Sequence, residues 1–158
     1  MVSPEKAAQQ LLDLHVPANA TGMDAVHTAL AGCWSSLESM RPLQQRWRDE
    51  FSLAVAEVAA NIIQHAHAPA SPEVAEGLVE FTLQLLCYPD HLQARFVDAG
   101  IAATPPEAPV MPSVTVSYTD LGERGRGLAL VQATTDHFQY YRTPDGENVW
   151  IIEKHFPA

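Results

Sequence analysis

Along residues 43–67 the apolar positions Phe51, Val55, Val58 and Ile62 recur every three or four residues, the spacing of one buried helical face. A second, polar series shares that helix. Glu57, Asn61 and His65 stand four residues apart and fall within an arc of about 80° beside the apolar face. A carboxylate and an amide held next to a core need polar partners, so this face is expected to meet something polar.

The other elements follow from the same patterning. Leu11-Leu-Asp-Leu-His-Val16 alternates as a strand that Pro17 stops. Asn19 or Thr21 is placed to cap a helix running to about residue 39, with Met23, Val26, Leu30, Cys33 or Trp34, and Leu37 along one stripe, and Arg41-Pro42 breaks it. Residues 78–88 and 91–97 read as a hairpin around Pro89-Asp90, with Asp98 at the end of its second strand. From 100 to 122 the periodicity is lost and Pro105, Pro106, Pro109 and Pro112 appear, the pattern of a long loop or lid.

Gly125-Arg-Gly127 precedes residues 128–135, which have helical composition, so the glycines are expected at a helix start. Residues 137–142 and 148–156 form a hairpin around Thr143-Pro-Asp-Gly-Glu147. The order β-α-α-β-β-lid-α-β-β predicts an α+β fold: a two-layer sandwich whose mostly antiparallel sheet carries helices on one face. Residues 1–10 read as an N-terminal extension and 11–158 as one domain.

Composition narrows the setting. The 158 residues, 47% of them hydrophobic, suffice for one core, and no run of 18 apolar residues is present. The first residues lack the order of a signal peptide, so a cytoplasmic protein is expected. Nine basic residues against 19 acidic ones give a net charge of −10, which argues against a nucleic-acid or anionic-membrane surface and is compatible with a basic partner. Cys33 and Cys87 lie among apolar neighbours and read as buried thiols, not as a disulfide or zinc pair.

Three groups of residues carry candidate chemistry. The Asn61 amide oxygen is a neutral ligand suited to Mg²⁺, which takes its remaining oxygens from waters and substrate phosphates. Glu57, one turn earlier, is placed to activate a hydroxyl or water in phosphoryl transfer, and His65, one turn later, either bonds a phosphate or caps the helix. Asp98 can accept a hydrogen bond from an exocyclic amino group such as that of adenine, and Gly100 leaves room for a flat ring. Gly122, Gly125 and Gly127 ahead of a helix let backbone N–H groups turn towards an anion, and Arg124 and Arg126 add local positive charge.

In order and spacing these groups resemble the GHKL, or histidine-kinase-like, ATPases, and among them the bacterial anti-sigma-factor serine kinases. Glu57-x-x-x-Asn61-x-x-x-His65-Ala66 resembles their N box, Asp98-x-Gly100 the first glycine box, and Gly125-Arg-Gly127-Leu-Ala-Leu-Val131 the second. The resemblance implies a Bergerat-type ATP-binding fold. It further implies that Asn61 coordinates Mg²⁺, Glu57 is the activating carboxylate, Asp98 and Gly100 receive the adenine, and Gly125 and Gly127 wrap the phosphates. Arg126, Leu128 and His65 join the nucleotide-contacting set, with Asn148 where a Thr is common near the adenine.

The same resemblance implies an ATP- and Mg²⁺-dependent serine/threonine kinase, active as a homodimer. Such a kinase binds a sigma factor or similar regulator and phosphorylates a small antagonist protein. Ala102 stands where the first glycine box has its second glycine, which keeps a non-catalytic ATP-binding module that sequesters a partner as the alternative.

Other groupings are weaker. His65-Ala-His67, considered with His91 or His137 as a metal site, is an i, i+2 pair pointing to different helix faces. Trp34, Trp47 and Trp150 sit in or beside apolar stripes and read as core or interface.

Overall fold

Strand β1 (Gln9–Pro17) leads through Asn19 into helix α1 (Ala20–Met40), whose N-terminus is capped by the Asn19 side chain accepting from the Gly22 N–H at 3.1 Å. Helix α2 (Gln45–Ala66) follows, then the hairpin β2 (Glu80–Cys87) and β3 (His91–Asp98), helix α3 (Gly122–Thr134), and the hairpin β4 (His137–Arg142) and β5 (Asn148–His155). This computed structural model describes residues 8–66, 79–99 and 122–158, without the side chains of His65, Ala66 and residues 122–126. The expected loop at 100–122, with Gly100 and Ala102, lies almost wholly outside the described residues, as does His67.

The strands form one sheet in the order β1-β2-β3-β5-β4, with every pairing antiparallel. Alternation fixes which face is covered. In β3, Leu92, Ala94, Phe96 and Asp98 are buried, while His91, Gln93, Arg95 and Val97 point the other way and are only half-buried. Leu92, Ala94 and Phe96 join Val26, Leu30 and Leu37 of α1 and Phe51, Val55, Val58 and Ile62 of α2 in a single core. Each Val, Leu, Ile or Phe side chain among them contributes about 1.5–3 kcal/mol by leaving water. The predicted α+β two-layer sandwich is therefore the fold, with the helices gathered on one face of an antiparallel sheet.

Local chemistry sets the ends. The β4–β5 turn closes through the Thr143 N–H on the Glu147 carbonyl at 2.8 Å, and Gly146 adopts φ 86°, a left-handed conformation that glycine accepts without strain. Trp47 and Phe51 stack at 5.8 Å, Trp47 and Phe156 at 5.4 Å, and Trp150 is fully buried, which places two of the three tryptophans in the core and Trp34 against it. Cys33 is buried, but Cys87, the last residue of β2, is only half-buried against the core. Burial pushes both thiols above their ordinary pKa, so neither is primed as a nucleophile.

Candidate functional site

Helix α2 brings the polar stripe to the margin of the core. With Phe51, Val55 and Val58 fully buried, Asn61 is carried inward to 7% exposure, whereas Glu57 stays half-buried. Asn61 Nδ2 has no hydrogen-bond partner among the described residues. A buried amide left in that state costs about 1–3 kcal/mol, and a half-turn of the amide puts its oxygen at the same place. Among the described residues the other buried side-chain nitrogens without partners are the Nε atoms of Arg48 and Arg95, so Asn61 is the one amide in that group.

Glu57 is positioned by a glycine. Its carboxylate lies against Gly127 of α3 so closely that a Cβ added there would stand 2.5 Å from Glu57 Oε2. A glycine in a helix interior costs about 0.5–1 kcal/mol relative to alanine, and here it leaves the space that the carboxylate fills.

The rim of the sheet holds the second group. In register, Phe81, Asp98, Asn148 and Arg142 form one cross-strand row on the helix-facing side of β2, β3, β5 and β4. Asp98, 6% exposed, accepts from Asn148 Nδ2 at 2.9 Å and from Trp150 Nε1 at 3.1 Å. The Asn148 oxygen accepts in turn from the Tyr140 hydroxyl at 2.7 Å and from Arg142 Nη1 at 3.0 Å. Charge-assisted hydrogen bonds of this kind hold a buried carboxylate in one orientation. Trp150, Tyr140 and Arg142 were not anticipated as members; the available signal was the period of two that puts Trp150 on the face of Asn148.

The second glycine group departs from expectation. Helix α3 begins at Gly122, so Gly125 lies in its first turn and Gly127 in its second, not in a loop ahead of it. Only the first four N–H groups of a helix, counted from its N-cap, lack intrahelical partners, which leaves the stretch from Gly122 to Arg124 at the donor end and spends the Gly125 and Gly127 N–H groups within the helix. Leu128 is half-buried against the core. The side chains of His65 and Arg126, and Gly100 altogether, lie outside the described residues.

A cleft of about 500 Å³ opens at the same rim, with Asp98, Ala99 and Glu147 in its wall. His15, Thr82 and Val97 in that wall are cross-strand neighbours on the face away from the helices, so the cleft is not the space on the Asn61 side. Mg²⁺ takes oxygen ligands and keeps several waters. The buried, unpartnered Asn61 amide and the half-buried Glu57 one turn away fit such an ion with its phosphates, and the fixed Asp98 carboxylate fits a ligand that donates hydrogen bonds.

Comparison with known proteins bears on the family and the fold. The sequence model of the histidine kinase-like ATPase domain matches residues 18–153. No curated protein matches the chain. Among solved structures, the RsbU and RsbW domains of Rv1364c from Mycobacterium tuberculosis are similar with a TM-score of 0.54 at 14% identity, over 93% of this chain and 34% of that one. The SiaB–SiaC complex from Pseudomonas aeruginosa is similar with a TM-score of 0.55 at 14% identity, over 93% and 91% of the two chains. The chain thus spans about a third of the first of these and nearly the whole of the second.

Proposed function

Because the chain belongs to the histidine kinase-like ATPase domain family, which implies ATP binding, we propose that it is an ATP- and Mg²⁺-dependent serine/threonine protein kinase acting as an anti-sigma-type switch. The observation that carries this reading is the buried, unpartnered Asn61 amide one helical turn from the Glu57 carboxylate.

In this reading Asp98, oriented by Asn148 and Trp150, accepts from the adenine amino group, and Gly100 accommodates the ring. Asn61 offers its amide oxygen to Mg²⁺. The N-terminal end of α3, from Gly122 to Arg124, gives N–H donors and the positive end of the helix dipole to the phosphates, with Gly125, Arg126, Leu128 and His65 nearby. When bound, Mg²⁺ neutralises charge on the phosphate oxygens. Glu57 accepts the proton of a Ser or Thr hydroxyl as that oxygen bonds to the γ-phosphorus and the bond to ADP breaks.

The partners in this reading are a sigma factor or similar regulator and a small antagonist protein bearing the acceptor hydroxyl. One of the similar structures is itself a two-protein complex. The net charge of −10 favours a basic docking surface on a protein over nucleic acid. A cytoplasmic homodimer completes the proposal.

Incubation of the chain with labelled ATP, Mg²⁺ and candidate antagonists from neighbouring genes tests it. Wild type should label one antagonist on Ser or Thr. Glu57→Ala should keep ATP binding and lower labelling by about 10²–10⁴, the range for a positioned general base. Labelling by Glu57→Ala at the wild-type rate would remove Glu57 from the mechanism; ATP bound by wild type without any labelled protein would favour the sequestering module.

A further inference from the structure

At the end of the sheet opposite Asp98, the β2–β3 turn and the last residue of β5 bring together three side chains with metal-ligand chemistry. His91 and His155 are directly paired across β3 and β5, and Asp90 stands in the adjoining turn. Each of the three offers one ligand atom, and these atoms all lie within 4.8 Å of one another. We propose that Asp90, His91 and His155 form a binding site for Zn²⁺ or a similar transition-metal ion, separate from the nucleotide site.

Several features prepare the site. The His91 ring is fixed: it stacks on Tyr88 at 4.4 Å and 8°, and its Nδ1 lies 2.8 Å from Asp90 Oδ1. The Tyr88 stack holds the ring, and the Asp90 carboxylate stands beside it as a second ligand. Its Nε2 faces the Glu153 carboxylate at 4.0 Å, too far for a hydrogen bond. Asp136 adds a third carboxylate, accepting from the His155 N–H at 2.7 Å. Arg41, which donates to the Pro89 carbonyl at 2.9 Å and lies over Phe156, is the opposing cation on this side.

Two imidazoles and a carboxylate suit Zn²⁺, which binds nitrogen at about 2.0–2.1 Å and oxygen at about 2.0–2.2 Å, and do not suit Mg²⁺, which prefers oxygen alone. Asp90 and His155 are both exposed, so an entering ion can reach them from solvent beside the fixed His91. The seven residue steps along β3 from His91 to Asp98 put the two sites about 23 Å apart. An ion here joins the β2–β3 turn to the end of β5, where the Phe156 N–H already bonds the Asp90 carbonyl at 2.9 Å and Trp47 Nε1 of α2 bonds the His155 carbonyl at 2.8 Å. It acts as a clip on the strand end against which α2 is seated.

The test is calorimetric titration of the untagged, chelator-stripped full chain with ZnCl₂, without nucleotide. One ion per chain is expected, accompanied by a rise in melting temperature. His155→Ala and His91→Ala should each weaken binding by at least about tenfold, and Asn61→Ala should leave it unchanged. If His91→Ala fails to fold for want of the Tyr88 stack, the exposed His155 decides. Absence of Zn²⁺ binding by wild type, or equal binding by His155→Ala, overturns the site; equal loss in Asn61→Ala would move the ion to the nucleotide site.

Discussion

Gly127 and Glu57 show how one missing side chain positions another. Adding a methyl group at Gly127 meets the far end of a flexible side chain, so the carboxylate swings away without breaking the helix packing. Gly127→Ala should therefore fold normally, with about 0.5–1 kcal/mol gained from helix propensity. Phosphotransfer should nevertheless fall at least about tenfold, since misplacing a reacting group by an ångström carries penalties of that order or more. Thermal melts and labelled-phosphate assays separate the two effects, and adding Gly127→Ala to Glu57→Ala should cost nothing further. Wild-type transfer by Gly127→Ala would show that the contact has no part in activation. From the sequence, Gly127 was legible as a glycine close to an anion, but not as the seat of Glu57, because that contact joins residues seventy positions apart in two helices.

Among the elements, α2, α3 and β5 are tied by one lysine. Lys154 Nζ donates to Glu50 Oε2 of α2 at 2.9 Å and to the Thr134 carbonyl at the end of α3 at 2.7 Å. The hydrogen bond from Lys154, then that from Arg46, holds the Glu50 carboxyl below its ordinary pKa of 4.5. A lowered folded-state pKa stabilises the fold above the unfolded value, and that contribution is lost as the pH falls through the folded one. Glu50→Gln should thus melt below wild type near neutral pH, and the gap should close in acid below 4.5. A gap that does not change with pH would assign the effect to packing. The elements were legible because each carries its own period and stops: Pro17, Asn19, Arg41-Pro42 and Gly146 mark ends that the structure keeps within a few residues. The start of α3 was not, because three glycines in six residues read as a loop, and the space beside Glu57 that favours a glycine there is a tertiary fact.

Across the whole molecule, the antiparallel sheet divides into two ends with different chemistry. One holds the buried Asp98–Asn148–Trp150 network, and the other holds the half-buried His91 beside the exposed His155. The sandwich was legible from the order of its elements and from the resemblance of the Glu57, Asp98 and Gly125 motifs. Strand register was not, since alternation shows which face a residue takes but not its neighbour on the next strand; the pairing of His91 with His155 and the Trp150 bond to Asp98 both depend on it. The central claim is that the unpartnered Asn61 amide is kept for Mg²⁺ and a bound nucleotide. Isothermal titration with ATP, with and without Mg²⁺, tests it most directly on wild type and Asn61→Ala. The account predicts Mg²⁺-dependent ATP binding by wild type and its loss in Asn61→Ala, with little fall in melting temperature, because the substitution removes a buried amide nitrogen that has no partner among the described residues. Equal Mg²⁺-dependent binding by the two proteins would contradict it.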